Sequence, residues 1–378
     1  MRNVVIAGYA RSPFHLAHKG ALARVRPDDL AAEVVRAIVA RSGLDAGLLE
    51  DLIVGCAFPE GEQGMNVARL IGLIADLPLA VGGMTINRFC GSSMSGVHYA
   101  AGQIQLGAGE AFVCAGVESM SRVPMAGFNP MPNPALAARS SAYMGMGDTA
   151  ENVARRFGID RAAQDAFALA SQQKAAAAQA AGRLKDEIVP IPTKAGPVDA
   201  DGTPRAETTL EGLAGLKPAF QADGTVTAGT SSPLTDGAAA VLVTSEDFAR
   251  AHGLPMLARV KGVAISGCAP EIMGMGPVEA SRKALARAGV DAADLAVVEL
   301  NEAFASQAIA CIEQLGLNPA VVNIDGGAIA IGHPLGATGA RIVGKAAAIL
   351  KRDGGKYALA TQCIGGGQGI ATVLEAVE

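Results

Sequence analysis

The chain has 378 residues, enough for two or three domains with sizeable cores. Half of them are hydrophobic, much of that from Ala and Gly, while aromatics make up 4% and Trp is absent, a composition suited to closely stacked helix and sheet layers. The formal net charge is −5, there is no long Lys/Arg run, and no apolar run is long enough to cross a bilayer, so the expectation is a soluble cytoplasmic protein with no nucleic-acid partner and no membrane span.

The first residues, Met1 to Ala7, read as a strand and lack the apolar region and cleavage site of a secretory signal. A helix is predicted over 30–41, with Leu30, Val34 and Ile38 on one face. Residues 41–58, RSGLDAGLLEDLIVGCAF, then give a turn and an apolar strand. They align without a gap on residues 287–304, RAGVDAADLAVVELNEAF, and a helix over 277–288 precedes that second copy. A repeat of this size predicts two copies of one supersecondary unit. The correspondence continues where Cys90-Gly-Ser-Ser-Met-Ser-Gly96 lies over His333-Pro-Leu-Gly-Ala-Thr-Gly339. A helix follows each, with Met94, Val97, Ala101 and Ile104 in one and Ile342, Val343, Ala347 and Leu350 in the other, and each leads to a strand, 111–115 or 357–361. Strand–helix–strand order predicts parallel sheets flanked by helices, with ligands beyond the carboxyl ends of the strands. Residues 118–237 break the pattern with Pro-rich turns and an Ala-rich helix from Arg161 to Gly182, and the apolar strand 238–244 returns to it. The expected division is a first half of 1–117 with 238–252, an inserted loop domain of 118–237, and a second half of 253–378.

The six cysteines show no C-x-x-C spacing, which argues against structural zinc. Cys56, Cys114 and Cys311 lie in apolar stretches and read as small core residues. Cys268 has no evident role. Cys90 and Cys363 each lie in a glycine-rich turn after a strand. A helix N-terminus stabilises a thiolate, so Cys90 is expected to have a lowered pKa, and His333, in a loop with five glycines over 326–339, is its candidate base. Other motifs fail. Gly339 to Lys345 resembles a phosphate loop but has Ala346 where Ser or Thr is needed, and Gly365 to Gly369 leads into a strand rather than a helix. The Asp199–Gly202 stretch is too short for a calcium loop, and His15, His18, His98 and His252 lack ligand spacing.

The stretches NRFCGSSMSG, GVESMSRVPM, GDTAENVARRFGI, GTVTAGTSS, IMGMGP, LNEAFASQ, GGAIAIGHPLGATGAR and CIGGGQG together resemble the thiolases along nearly the whole chain, leaning towards bacterial 3-ketoacyl-CoA thiolases of fatty-acid β-oxidation. The resemblance implies the thiolase fold, two pseudo-symmetric α/β halves in five layers (αβαβα) with an inserted loop domain on the coenzyme A side. It implies an acyltransferase with coenzyme A as substrate and no metal or other cofactor. By it, Cys90 matches the nucleophile, His333 its activator, and Cys363 the acid/base for the α-carbon and the incoming thiol. Asn301 matches the residue holding a water in the first oxyanion hole, and Gly365, with Cys90, supplies backbone N–H groups to the second. Ser232, Met146, Met273, Phe220 and Phe304 match positions around the pantetheine and acyl groups, and Arg205 matches a basic residue near the nucleotide.

Two departures bear on specificity and assembly. Biosynthetic acetoacetyl-CoA thiolases carry a histidine where Gly145 stands, and the loop 121–142 is shorter than in tetrameric relatives. The expectation is therefore degradative thiolysis by a homodimer, with a hydratase/dehydrogenase subunit as a possible partner and condensation of two acetyl-CoA as the alternative activity. A condensing synthase is disfavoured by the NEAF motif and the second cysteine, and a non-catalytic scaffold by the retention of Cys90, His333 and Cys363. A redox sensor using a low-pKa Cys90 is a liability of such a site rather than its role.

Overall fold

The sequence repeat becomes two sheets of matching strand order in the computed structural model, which describes residues 2–377. The first half runs β1 (Val4–Arg11), the two-residue β2 (His15–Leu16), α1 (Pro27–Ser42), β3 (Asp51–Gly55), α2 (Val67–Ile74), β4 (Gly82–Ile86), α3 (Ser92–Leu106) and β5 (Ala111–Ser119). An excursion follows with α4 (Pro134–Ala137), α5 (Met146–Phe157), α6 (Arg161–Ala180) and α7 (Leu210–Ala214). The chain returns as β6 (Thr235–Ser245) and α8 (Glu246–Ala251). The second half comprises β7 (Ala258–Gly267), α9 (Gly276–Ala288), β8 (Leu295–Leu300), α10 (Ala305–Leu315), α11 (Ala328–Ile331), α12 (Leu335–Asp353), β9 (Tyr357–Ile364) and β10 (Gln368–Glu375).

The strand order is β4-β3-β5-β6-β1-β7-β10-β9-β8. Outward from the β1–β7 junction, β1, β6, β5 and β3 on one side mirror β7, β10, β9 and β8 on the other. The place of β4 in the second half is taken by a single parallel bridge between Val298 and Val322. The strand ladder runs on from one half to the other, where Val5 pairs with Arg259 and Ile6 with Ala258. The expectation of parallel sheets holds for β3 with β4 and β5, and for β8 with β9. It is corrected for the rest: β6 runs antiparallel to β1 and β5, and β10 to β7 and β9. The physical reason for β10 is its connection. A tight turn at Gly366 and Gly367, both at positive φ, joins it to β9, and a tight turn can join only antiparallel neighbours.

Alternating residues on each strand feed different layers. Leu52, Val54, Val113 and Leu242 face outward onto α1 and α2, meeting Leu30, Val34, Ile38 and Ile71. Ile53, Cys114, Val241 and Val243 face inward onto α3 and α12, where Met94, Val97, Ile342, Val343 and Ile349 pack; Ala358, Ala360 and Ile370 close that layer from the second sheet. On the far side α9 and α10 bring Val278, Leu285 and Ile312 against Val298, Leu300, Leu359 and Val373. The result is five layers, αβαβα. Each fully buried Ile, Leu or Val contributes about 1.5–3 kcal/mol.

The repeat's shared glycine has a local cause. Gly43 and Gly289 stop α1 and α9 in the left-handed conformation, at φ 70° and 64°. Buried ion pairs tie the excursion to both halves. Arg11 on β1 meets Glu187 and Asp201 at 2.7 and 2.6 Å, and Lys345 inside α12 meets Glu187 and Asp325 at 2.9 Å each. Lys345 is therefore a helix-interior ion-pair residue, not a phosphate-loop lysine. Among the described residues no helix is long and apolar enough to cross a membrane.

Candidate active site

Cys90 stands between β4 and the first turn of α3. The chain bends there because Phe89 sits at φ 43°, held by Asn87 Oδ1 accepting its N–H at 2.8 Å. Arg88 is turned away, donating to Ser95 Oγ at 2.9 Å and Gln368 Oε1 at 3.1 Å. Gln362, on β9, donates its side-chain amide to the Cys90 carbonyl. The thiol is half-buried among Ala57, Phe58, Met120 and Leu335, and faces the backbone N–H groups of Gly365 and of Cys90 itself.

The expectation of a lowered Cys90 pKa is corrected. Burial pushes the thiol up to about 11, although the two N–H groups pull in the other direction. Position at a helix start is visible in sequence, but the desolvation that outweighs it is not.

His333 lies in the turn before α12, its backbone N–H donating to Thr235 Oγ1 at 3.0 Å. Nδ1 lies 2.6 Å from Thr338 Oγ1, and that hydroxyl donates to the Pro334 carbonyl at 3.0 Å. With its one hydrogen committed there, Thr338 accepts from Nδ1–H, which assigns the lone pair to Nε2. Asn301 Nδ2 lies 3.3 Å from Nε2, and the buried Asn301 Oδ1 makes no hydrogen bond among the described residues. Burial, and then the charge of Arg341, lower the imidazole to about 3. Neutral at physiological pH, with its Nε2 lone pair met by the Asn301 amide N–H, it is suited to accept a proton.

Cys363, next to last in β9, is buried with Met146, Ala150, Val226, Met273, Ala303 and Phe304. Burial first, and then the neighbouring Cys90, hold its thiol well above the ordinary value. Gly365 opens the turn after it, and a Cβ placed there would meet Met146 Sδ and Phe89 Cδ2 at 3.7 Å, so those two side chains frame the turn. Phe220 meets Phe304 edge-on at 5.9 Å between centroids. Ser232 joins through its N–H to the Ala303 carbonyl at 3.0 Å. The structure thus gathers Cys90, His333, Asn301, Cys363, Gly365, Met146, Met273, Phe304 and Phe220, with Ser232 beside them. Arg205 stands apart, exposed, its backbone N–H on Gln172 Oε1 at 2.8 Å, in a small cleft with Thr203, Gly229 and Ser231.

Three residues around this site escaped the sequence reading. Thr338 orients His333, Gln362 holds the Cys90 carbonyl, and Glu118, on β5 behind Cys90, accepts from Gly336 N–H at 2.9 Å. Only Glu118 left a signal, as the single charge in the apolar run AFVCAGVES.

Residues 4–247 match the thiolase N-terminal domain and residues 254–376 the thiolase C-terminal domain. The chain is 47% identical to a 3-ketoacyl-CoA thiolase of Bacillus subtilis (strain 168) over 389 residues, covering 99% of this chain and all of that one. It is also 47% identical to a 3-ketoacyl-CoA thiolase of Shewanella denitrificans over 392 residues, covering both in full. The structure resembles the human mitochondrial 3-ketoacyl-CoA thiolase solved in complex with CoA, with a TM-score of 0.92 and 38% identity over 100% of this chain and 98% of that one.

Proposed function

The chain belongs to the thiolase family, and we propose that it cleaves 3-ketoacyl-CoA with coenzyme A, releasing acetyl-CoA and an acyl-CoA two carbons shorter, through an acyl-Cys90 intermediate. The observation that carries this reading is the Cys90 thiol against two backbone N–H donors, with a second buried thiol, Cys363, beside it.

In the first half-reaction His333 Nε2 takes the Cys90 proton, and the thiolate attacks the 3-keto carbon. The oxyanion is held by the imidazolium N–H and by a water on Asn301. As it collapses, the C2–C3 bond breaks and Cys363 gives its proton to the departing acetyl-CoA carbanion. The high pKa of Cys363 suits this role, because the thiol remains protonated until the carbanion forms. In the second half-reaction the Cys363 thiolate takes the proton of coenzyme A. The new thiolate attacks acyl-Cys90, and the N–H groups of Cys90 and Gly365 hold the second oxyanion until Cys90 leaves as a thiolate and takes its proton back from His333. The chemistry requires two thiols and one imidazole, and no metal or organic cofactor enters it.

A preference for chains longer than acetoacetyl-CoA is supported by space at Gly145. A cavity of about 400 Å³ there is lined by Ser140, Tyr143, Met144, Asn152 and Gln221, next to Met146. Each methylene that leaves water contributes about 0.8 kcal/mol. Thiolysis rates across C4 to C16 3-ketoacyl-CoAs test this, and a kcat/KM that is flat or falling from C4 to C8 refutes it.

A homodimer in the cytoplasm completes the proposal, with a hydratase/dehydrogenase subunit as candidate partner. The edge strand β4 leaves Met84 and Ile86 partly open, and Met65, Leu79 and Leu106 stand exposed on the same half, an apolar surface of the kind a second subunit covers. Light scattering that shows a stable tetramer or a monomer at micromolar concentration refutes the dimer.

A further inference from the structure

Glu118 is the only charged residue of β5, it is 1% exposed, and it pairs with no Lys, Arg or His among the described residues. Burial raises this carboxyl above its ordinary value while the donors around it pull the other way, and such a carboxylate is costly unless its lone pairs are filled. Here they are. Oε2 accepts the N–H of Ala57 at 2.8 Å and of Gly336 at 2.9 Å. Oε1 accepts Gln63 Nε2 at 2.9 Å and the Phe58 N–H at 3.2 Å, with the Cys56 thiol at 3.7 Å. Gln63 is itself locked, its Oε1 taking the Ser119 N–H at 2.6 Å.

The origin of these donors gives the arrangement its meaning. Ala57, Phe58 and Gln63 belong to the first half, whereas Gly336 belongs to the second, three residues after His333. Ala57, Phe58, Met120 and Leu335, which follow or adjoin those donors, are the residues packed on Cys90. One buried anion therefore ties the loop bearing the base to the wall around the nucleophile. A second polar tie crosses the same joint without charge: Ala340 N–H donates to Ser93 Oγ at 2.8 Å. The titratable and charged groups around Cys90 are Glu118 from β5, Cys363 from β9, His333 before α12 and Arg88 on its own loop. Cys56 lies behind Glu118, and the exposed His18 follows Ala17.

We infer that Glu118 is a positioning residue for thiolysis, fixing the His333 loop against Cys90 and keeping Cys90 a neutral thiol until His333 takes its proton. The inference rests on the proposed roles of Cys90 and His333. A buried carboxylate behind the nucleophile opposes a second negative charge; burial is the chief cause that raises the Cys90 thiol, and Glu118 adds a smaller push in the same direction.

Three variants separate position from charge. Glu118→Gln removes the charge and turns an NH2 towards N–H donors. Glu118→Asp keeps the charge but shortens the reach. Ser93→Ala loosens the joint without touching charge. For each, thiolysis kcat/KM and the pH dependence of Cys90 alkylation by iodoacetamide are measured, with alkylation located by peptide mass. Both Glu118 variants should lose at least about tenfold in kcat/KM through misplacement of His333. The alkylation midpoint should fall in Glu118→Gln and move less than half as far in Glu118→Asp and Ser93→Ala. A folded Glu118→Gln with an unmoved midpoint overturns the inference. If Glu118→Gln does not fold, a Glu118→Asp protein that loses no more turnover than Ser93→Ala overturns it instead. Failure of the parent reading looks different: the wild-type enzyme would take up no acyl group at Cys90 from acetyl-CoA.

Discussion

Gly336→Ala tests how tightly the two halves are joined. A Cβ at Gly336 would lie 2.6 Å from the Gly55 carbonyl oxygen, 2.7 Å from that of Val117 and 2.8 Å from Cys56 Cα. All three are backbone atoms of β3 and β5 or the residue after, so none can rotate aside. Ordinary carbon contacts sit near 3.5 Å, so the start of α12 must retreat by roughly 0.5–1 Å. Overpacking of this kind costs about 1–3 kcal/mol. The same shift carries His333, three residues earlier, away from Cys90, and a misplacement of about 1 Å costs up to about 100-fold in rate. Gly336→Ala should therefore unfold a few degrees lower and lose about 30- to 100-fold in thiolysis kcat/KM. Gly102→Ala is the control. It lies in the interior of α3 with nothing within 4 Å of an added Cβ, and should be neutral or stabilising by up to about 1 kcal/mol. The assay is thiolysis of a C8 3-ketoacyl-CoA beside thermal unfolding of each variant. A Gly336→Ala protein with kcat/KM within about threefold of wild type and an unchanged unfolding temperature would refute the rigid joint.

Cys90→Ser should lose at least about a thousandfold in turnover, and intact mass after mixing with acetyl-CoA should show one acetyl group on Cys363→Ala and none on Cys90→Ser. A folded Cys363→Ala that takes up no acetyl group contradicts the division of roles. Arg11→Met leaves the buried Glu187 and Asp201 without their shared cation, so unfolding in urea should show a loss of about 3–5 kcal/mol; a loss under about 1 kcal/mol would mean that the pair is not carried into the folded state as an ion pair. His98 is held down to about 3 by burial and then by Arg88, while its Nε2 lies 2.8 Å from Thr372 Oγ1. Below its ordinary value near 6.5 the unfolded chain takes a proton that the folded chain does not, so wild type loses stability as pH falls. His98→Gln removes that loss, and should gain on wild type by up to about 1.4 kcal/mol per pH unit below pH 6.5; the same difference at pH 7 and pH 5 would rule this out.

The repeat was legible because its landmarks are local. Gly43 and Gly289 are needed wherever a helix ends in the left-handed region, and Asp45 and Asp291 start the short turn that follows each. Cys114 and Cys311 were legible as core residues because apolar surroundings in the chain became apolar surroundings in space; Cys56 is buried as well, but against the polar ends of Gln63 and Glu118. Strand direction was not legible for β6, which returns after a long excursion that carries no periodic sign of which way it will run. Nor was the Cys90 pKa, since a helix start is a matter of neighbours in sequence and desolvation a matter of neighbours in space. Thr338 and Gln362 gave no sign either, because a hydroxyl in the first turn of a helix and an amide in a strand are common, and only the fold brings them to His333 and Cys90.

The duplication explains why the joint matters as much as the reacting groups. Cys90 and His333 occupy equivalent places, each just before an inner helix, and the pseudo-twofold relation sets the two helix starts side by side. A Cβ at Gly339 would lie 2.3 Å from Met94 N, and one at Gly55 would lie 2.2 Å from Ser93 N. Neither half carries both a nucleophile and its base, so no rearrangement within one half can restore their spacing once the halves separate. Side chains that never meet substrate, such as Ser93 and Glu118, therefore act on the reaction through the distance they hold, and the glycines at 55, 336 and 339 are required there by backbone approach rather than by chain flexibility.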